Sequence, residues 1–323
     1  MASRLSPAFE SGAISCPEGR ILVMRPQPEQ VEGLDPTLIF AVQGFFPIAE
    51  ALRQAGIETS PDVLEGDFAG AIVFVDKSKA ETLRMIALAM AHVPNGAPVI
   101  IDGDKSAGVA SVLKLCRAQF DVGEVFSKAH GKTFVCRARA APDSWRPMPQ
   151  HVGHYRTGSG VFSADKIDPG SALLIKNLPQ VSGHILDMGA GWGYLSAELL
   201  ARGDPISKID LVEAEWNAVD AARENISDPH ASIHWANALT WKGSYDWVIS
   251  NPPFHQGRET TPALGQAFIA QAARMIRRGG RFAMVANRHL PYEAALAKAF
   301  AEVTVASESD GFKVVIASRA KGG

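Results

Sequence analysis

The chain has 323 residues, of which 46% are hydrophobic and 20% are charged, and its formal net charge is −2 at pH 7. This length allows one large domain or two ordinary domains with a proper core, and the charge excludes a protein that is strongly basic overall. The apolar runs are too short to span a bilayer as helices.

The cysteines and the N-terminus indicate a reducing compartment. Cys16, Cys116 and Cys136 have neither the spacing of metal ligands nor the arrangement of a disulfide framework. The first sixteen residues contain no continuous apolar stretch of the secretory type. We therefore predict a cytoplasmic protein without a metal or a membrane partner, and we expect a monomer.

The first half alternates strand patterns with helix patterns, which predicts a mostly parallel sheet. Strands are predicted at 19–26, 69–76, 97–104 and 132–140, and helices at 46–56, 79–94 and 106–120. Gly103 and Gly108 follow the third predicted strand, but their spacing is not that of a dinucleotide-binding turn, and no acidic strand end follows at the right distance. This half is therefore predicted to be Rossmann-like without a cofactor.

Residues 105–146 form a basic segment in a chain that is otherwise acidic or neutral, with eight basic and three acidic residues. Such a segment could bind phosphate groups, and a merely solvated surface is the alternative. Lys105, Lys128 and Lys132 are the candidates for phosphate contacts, because they lie beside glycines or where a strand begins or ends.

Residues 141–159 are rich in proline and glycine and are predicted to link two domains, which we place at 1–145 and 146–323. The sequence Gly-Val-Phe-Ser at 160–163 follows, and its Phe162 is expected to lie near a ligand pocket as part of a lid.

The most informative stretch is 184–193, HILDMGAGWG, which predicts a buried strand, a glycine turn and then a helix. Gly189 and Gly191 would let the main chain approach a nucleotide-like ligand, with an anionic part of the ligand at the helix start. Glu213 ends the next predicted strand, twenty residues beyond Gly193, where a carboxylate can accept ribose hydroxyls.

A second motif, Asn251-Pro252-Pro253-Phe254, follows the apolar strand pattern at 245–250. Two prolines cannot continue a sheet, so they predict a rigid turn. The Asn251 side chain and the Pro252 carbonyl are acceptors that suit a planar amino group, and Phe254 offers a face for stacking a flat base.

The second half is predicted to be a parallel sheet that ends in an antiparallel hairpin, as in methyltransferases. Its strands are predicted at 184–188, 208–213, 232–236, 245–250 and 281–287. Asp310-Gly311 lies between two further strand patterns and is a hairpin signal.

These motifs resemble those of class I S-adenosylmethionine methyltransferases that act on exocyclic or amide nitrogen. GVFS, NPPFHQG, VANRHLPY and GFKV are similar to motifs of the guanine-N2 ribosomal RNA methyltransferases of the RsmC type, with the RlmG type as close kin. The resemblance is strong over 155–318 and looser over 20–140. Trp192 and Tyr194 depart from the family's pattern, and we expect them to narrow the pocket.

The resemblance implies an α/β protein of two tandem Rossmann-like domains, the first degenerate and RNA-binding, the second catalytic with a seven-stranded sheet. It implies methyl transfer from S-adenosylmethionine to guanine N2, with small-subunit ribosomal RNA or the subunit itself as partner. The implied catalytic residues are Asn251, Pro252, Pro253 and Phe254. The implied cofactor-binding residues are Phe162, Asp187, Gly189, Ala190, Gly191, Glu213, Ala214, Asn237, Ala238 and Asn251. The implied RNA contacts are Lys105, Lys128 and Lys132.

Two other functions remain open from the sequence. A protein-glutamine N5-methyltransferase uses a similar motif, but usually with tyrosine in place of Phe254 and with a small helical N-terminal domain. A non-catalytic RNA-binding assembly factor would not need the intact Asp187, Glu213 and Asn251.

Overall fold

The computed structural model describes residues 4–146, 150–158, 160–253, 255–256, 259–260 and 262–321. The chain divides into two compact units, Met1–Met148 and Pro149–Gly323. Among the described residues, no helix is long and apolar enough to cross a membrane. The same residues contain no group of three or more His, Cys, Asp or Glu side chains arranged to hold a metal ion.

The first unit is one seven-stranded sheet covered by helices. Its helices are α1 (Leu5–Glu10), α2 (Phe46–Gln54), α3 (Lys79–His92) and α4 (Val109–Gln119). Its strands are β1 (Ile21–Met24), β2 (Ile39–Val42), β3 (Glu58–Ser60), β4 (Gly70–Phe74), β5 (Pro98–Asp104), β6 (Val122–Lys128) and β7 (Gly131–Arg137). The strand order is β3-β2-β1-β4-β5-β7-β6, and β7 is antiparallel to both of its neighbours.

The inner strands of this sheet are buried on both faces, which explains their continuous apolar sequences. Leu22 and Val73 pack into the core on one face, whereas Val23 and Ile72 pack into the core on the other. Neighbouring residues of β1 and of β4 therefore serve opposite faces, as the alternation along a strand requires.

The predicted strands and helices of this unit are all present, and the sheet is mostly parallel as predicted, but it has more strands than predicted. The strands β2, β3 and β6 were not predicted. β2 has only four residues, β3 has three that are half exposed or exposed, and β6 is an exposed edge strand with an irregular register between Val122 and Val125. The hairpin β6–β7 makes the end of this sheet antiparallel.

The second unit begins with a small hairpin and continues as a second seven-stranded sheet. Its helices are α5 (Pro169–Asn177), α6 (Tyr194–Ala201), α7 (Trp216–Asn225), α8 (Pro262–Met275) and α9 (Glu293–Ala299). The paired short strands are β8 (Gln150–Val152) with β9 (Tyr155–Thr157), and β14 (His255–Gln256) with β15 (Glu259–Thr260). The sheet strands are β10 (Gly183–Met188), β11 (Ile206–Glu213), β12 (Ala231–Trp235), β13 (Tyr245–Ser250), β16 (Ile276–Asn287), β17 (Phe300–Ser309) and β18 (Phe312–Ala320).

The order of the second sheet is β12-β11-β10-β13-β16-β18-β17, with β18 antiparallel to both neighbours. The predicted parallel sheet with a closing hairpin is therefore confirmed. Asp310 and Gly311 turn the hairpin with φ angles of 53° and 83°, the backbone that an Asp-Gly turn favours. β16 starts at Ile276, earlier than predicted, because an irregularity in its pairing with β13 accommodates the residues before Arg281.

Candidate active site

The glycine turn lies at the carboxyl end of β10, the edge where open α/β sheets bind ligands. Gly191 has a φ of +55°, and a Cβ atom built there would have no neighbour within 4 Å. The main chain at Gly191 is therefore open to a ligand. Gly193, the N-cap residue directly before α6, has a φ of +88°, and a Cβ atom built there would lie 2.8 Å from Ile226 Cδ1. A side chain at that position would be both strained and crowded.

Glu213, the last residue of β11, holds this turn. Its Oε2 accepts a hydrogen bond from the Gly191 N–H at 2.9 Å, and its Oε1 accepts from the N–H groups of Ala214 and Glu215 at 2.8 Å each. Burial raises the pKa of the Glu213 carboxyl, and the three N–H groups oppose that rise. A carboxylate has about four lone-pair positions, so some acceptor capacity remains for a ligand hydroxyl.

Asp187, the penultimate residue of β10, lies fully buried beneath the turn. Ser196 Oγ donates to its Oδ2 at 2.6 Å, whereas Oδ1 is buried without a partner in the described part of the chain. Burial, with the nearby charge of Glu213 as a further cause, raises the pKa of Asp187 to about 7. The site thus contains a buried carboxyl oxygen that a cation or a hydrogen-bond donor would satisfy.

Asn237 and Ala238 follow β12, next to the end of β11. Asn237 Oδ1 accepts from the Leu239 N–H at 2.9 Å, which leaves one of the two lone pairs of this carbonyl oxygen. Ala238 is buried in the core, and the Ala214 carbonyl accepts from Trp235 Nε1 at 2.9 Å. These residues therefore lie at the Glu213 side of the turn and do not line the cavity described next.

A small, open cavity lies in front of the glycine turn. It is lined by Phe162, Ser163, Asp168, Ser171, Gly189, Ala190, Gly191, Trp192, Tyr194, Leu195 and Asn251. The structure thus brings the glycine turn and Asn251, which are far apart in the sequence, to one cavity.

Asn251 follows β13, and its carboxamide has two different environments. Its Nδ2 donates to Asp168 Oδ2 and to Ser171 Oγ, both at 2.8 Å. Its Oδ1 is buried, with no partner among the residues that the structure describes. Pro252 is buried and Pro253 is exposed. Phe254 lies outside the described residues.

Phe162 and Trp192 connect the predicted lid to the turn. The Phe162 side chain is 63% exposed, and its carbonyl accepts from Trp192 Nε1 at 3.2 Å. Trp192 is buried, with its ring centroid 5.3 Å from that of Tyr155 and 5.6 Å from that of Tyr194. The bulk of Trp192 therefore packs against Tyr155, and its indole N–H holds the Phe162 main chain close to the turn.

Sequence reasoning missed Asp168 and Ser171, although one signal was visible. An Asp-Pro pair at 168–169 before an apolar helix is a helix-start signature, and Asp168 does cap α5 by accepting from the Ser171 N–H at 2.7 Å. Their contact with Asn251 spans about eighty residues, so local sequence could not predict it.

The three lysines of the first unit lie together at one edge of its sheet. Lys105 directly follows β5, and its N–H donates to the His130 carbonyl in the β6–β7 turn at 2.8 Å. Lys128 ends β6, and Lys132 Nζ donates to Ser127 Oγ at 3.2 Å. Arg4 binds Asp102 and Asp104, the two carboxylates nearest in sequence to Lys105. In the described residues, no carboxylate pairs with any of the three lysines.

The two sheets have equivalent register around their first strands. Met24 of β1 pairs with Val42 of β2, as Met188 of β10 pairs with Val212 of β11. The turn geometry also matches, since the Arg25 N–H donates to the Val42 carbonyl just as the Gly189 N–H donates to the Val212 carbonyl. Positions in the two units can therefore be compared one by one.

At the equivalent positions the first unit lacks the polar and small residues of the second. It has Val23, Arg25, Gln43 and Phe74 where the second unit has Asp187, Gly189, Glu213 and Asn251, respectively. The Gln43 amide is occupied by its own unit, donating to the Pro26 carbonyl at 3.0 Å and accepting from the Phe45 N–H at 2.9 Å.

In the second unit, the hydrogen-bonding groups suit two ligands. One carries an ammonium group and ribose hydroxyls, and the other brings an amine to Asn251. The unpaired Asp187 Oδ1 suits the ammonium group, the remaining capacity of Glu213 suits a hydroxyl, and the unpaired Asn251 Oδ1 suits the amine. The residues present therefore fit S-adenosylmethionine.

Comparisons with known proteins show the family of the chain. The family model "Methyltransferase small domain" matches residues 153–316, and "Methyltransferase small domain N-terminal" matches residues 48–145. The chain is 33% identical over 261 residues to the ribosomal RNA small subunit methyltransferase C of Shewanella piezotolerans, covering 76% of both proteins. It is 30% identical over 261 residues to that of Shewanella loihica, again covering 76% of both.

One solved structure is similar over nearly the whole chain. It is a 16S rRNA N2-guanine methyltransferase (RsmC) of T. thermophilus in complex with AdoMet and guanosine, with a TM-score of 0.78 and 22% identity. The match covers 97% of this chain and 92% of that one, so the two proteins share their fold. On the family models and the curated relatives, the chain belongs to the methyltransferase small domain family and, within it, to the ribosomal RNA small subunit methyltransferases C.

Proposed function

We propose that this protein transfers a methyl group from S-adenosylmethionine to the exocyclic N2 of a guanine in 16S ribosomal RNA. The observation that carries the proposal is the unpaired, buried Oδ1 of Asn251 in the cavity beside the glycine turn. A buried acceptor without a donor is unfavourable, and an incoming amino group would supply that donor.

The cofactor would be held by residues of the second unit. Asp187 would orient its ammonium group, Glu213 would accept from the ribose, and Asn237 and Ala238 would lie against the adenine. Gly189, Ala190, Gly191 and Ala214 would contact it through their main chain, and Phe162 would cover it. When bound, S-adenosylmethionine supplies an electrophilic methyl group on a sulfonium.

The chain's own contribution to catalysis would be alignment of the acceptor amine. Asn251 Oδ1 and the Pro252 carbonyl would accept the two N2 hydrogens. This contact favours a more tetrahedral nitrogen, whose lone pair is less delocalised into the ring and more nucleophilic. Pro253 would keep the turn rigid, and Phe254 would stack on a guanine that has left its own stack.

We further propose that the two units are functional domains with different tasks. The first, 1–145, would hold RNA through phosphate contacts at Lys105, Lys128 and Lys132, without reading sequence itself. The second, 146–323, would bind the cofactor and carry out the chemistry.

The test is methylation of small subunits and of free 16S ribosomal RNA, both prepared from a strain that lacks the gene. Radiolabelled S-adenosylmethionine is supplied, and the nucleosides are analysed by mass spectrometry. We expect N2-methylguanosine with the wild-type protein and at least about 100-fold less with Asn251→Ala, while cofactor affinity is retained. Label in a protein glutamine, or no transfer at all, would overturn the proposal in favour of the two other functions.

A further inference from the structure

The Asn251 carboxamide must face one way to act on an amine. With Oδ1 towards the acceptor nitrogen, the side chain accepts an N–H. With the amide turned over, its own NH2 would oppose another NH2, two donors without an acceptor. The orientation of this carboxamide therefore determines whether the site binds the acceptor amine or repels it.

The partners on the other side of the amide define that orientation. Asp168 Oδ2 and Ser171 Oγ each lie 2.8 Å from Asn251 Nδ2. An ionised carboxylate only accepts hydrogen bonds, so Asp168 requires the nitrogen of the amide on its side. Oδ1 is then left on the opposite side, where it is buried and unpaired within the described residues.

The two partners are themselves held in place. Asp168 caps α5 through the Ser171 N–H, and Pro169 occupies the first turn of that helix. Ser171 is only 7% exposed. A Cβ atom on the intervening Gly170 would lie 3.0 Å from both Asp168 Oδ2 and Phe312 Cδ1. The start of α5 is thus closely packed, which makes it a fixed support for the amide.

We propose that Asp168 and Ser171 are positioning residues that lock the Asn251 carboxamide with its oxygen towards the methyl acceptor. This inference rests on the proposed function only in that the acceptor carries an amino group. The proposal gives the residues at the start of α5 a role in turnover, the orientation of Asn251, in addition to helix capping.

Three variants distinguish the orientation of the Asn251 carboxamide from the capping of α5. Ser171→Ala removes one acceptor and keeps the N–H that Asp168 caps. Asp168→Ser keeps a good capping residue but withdraws the carboxylate from Asn251. Asp168→Asn keeps an oxygen for both contacts. Ser78→Ala is the matched control, since Ser78 caps α3 by accepting from the Glu81 N–H at 3.2 Å in the first unit.

We expect kcat to fall about threefold to tenfold for Ser171→Ala and about tenfold to 100-fold for Asp168→Ser, the range of one lost neutral or charged hydrogen bond. Asp168→Asn should recover most of the rate. Calorimetry should give cofactor Kd values within about twofold of wild type for all three. Ser78→Ala should lower Tm and leave kcat unchanged.

A double-mutant cycle gives the decisive measurement, because the effects of two substitutions that act through the same group do not add. In an Asn251→Ala background, Asp168→Ser should cause no further loss of kcat. Additive losses, or an unchanged kcat in Ser171→Ala and Asp168→Ser, would overturn the inference. If the wild-type acceptor proves to be a different amine, the proposed function fails while the same cycle still supports the lock. A wild-type protein without any transfer overturns both.

Discussion

A buried hydrogen-bond acceptor that has lost its donor costs about 1–3 kcal/mol. The second unit holds two such oxygens near its glycine turn, Asp187 Oδ1 and Asn251 Oδ1, when the described residues alone are considered. Neither is explained by packing, because a hydrophobic residue of similar size would avoid the penalty. Both are explained by ligands that carry N–H groups, so these atoms indicate where binding occurs.

The raised pKa of Asp187 makes cofactor affinity depend on pH. Because its pKa is about 7 in the ligand-free protein, the carboxyl is mostly protonated below that pH, and binding an ammonium group must release the proton. Affinity should therefore rise about tenfold from pH 6 to pH 7.5. Calorimetry in buffers of different ionisation enthalpy would measure both the affinity and the released proton. A flat profile, or the same profile in Asp187→Asn, would contradict the assignment.

Glu213→Ala should weaken S-adenosylmethionine binding by about 1–3 kcal/mol, the value of a charge-assisted hydrogen bond. It should also lower Tm, because three main-chain N–H groups lose their acceptor. Glu213→Gln, which keeps one oxygen, is the matched control and should lie between wild type and alanine in both measurements. An affinity unchanged in Glu213→Ala would show that the ribose is bound elsewhere.

For individual residues, the sequence was informative where the signal lies in a short stretch of chain. Glu213 could be predicted from its position at a strand end and Asn251 from the two prolines after it, whereas Asp187 was implied by the family resemblance. Their roles remain predictions. Asp168 and Ser171 could not be predicted, because their significance comes from a contact across the fold.

Among the secondary-structure elements, the β6–β7 hairpin of the first unit was the main surprise. The sequence predicted its second strand and missed its first, because β6 lies at the sheet edge and has an irregular pattern. By contrast, the β17–β18 hairpin of the second unit was predicted from Asp310-Gly311, where the turn chemistry is explicit. The longer helices and most buried strands were predictable because their apolar pattern reflects packing on both faces of a sheet, whereas the short buried strand β2 was not.

Reversing the three lysine charges at the β6–β7 end, Lys105→Glu, Lys128→Glu and Lys132→Glu, should weaken RNA binding. It should also reduce the salt dependence by roughly one unit of slope per lost phosphate contact. Filter binding over a salt series measures both quantities.

Lys114→Glu with Arg117→Glu provides the control, because these exposed residues belong to the same basic segment but lie on α4. An equal effect per charge in the control would favour a general electrostatic attraction. Altered melting with unchanged RNA affinity would favour a purely structural role for the hairpin.

The whole molecule contains one fold twice, with the same strand order in both sheets and with different residues at the equivalent ligand-binding edge. The sequence predicted the loss of a glycine turn in the first unit. Matching individual positions of the first unit to those of the second required the strand register of the structure. The sequence alone did not reveal β2, the strand that Gln43 follows.

We expect one S-adenosylmethionine per chain, because the first unit has Val23 and Phe74 where the second has Asp187 and Asn251. Equilibrium dialysis or calorimetry should give a stoichiometry of one, and Asp187→Asn should weaken all of the observed binding. A second equivalent of cofactor, or a residual site of unchanged affinity in that variant, would contradict this expectation.

Replacement of those two polar residues by Val23 and Phe74 has a consequence for the lifetime of the protein. Only the second unit would bind the methyl donor, so only its resistance to proteases should increase with the supply of that donor. When that donor is scarce, we expect the second unit to be cleaved faster than when the donor is abundant, while the cleavage rate within the first unit is unchanged. Limited proteolysis with and without S-adenosylmethionine would show this difference, and equal protection of both units would contradict it.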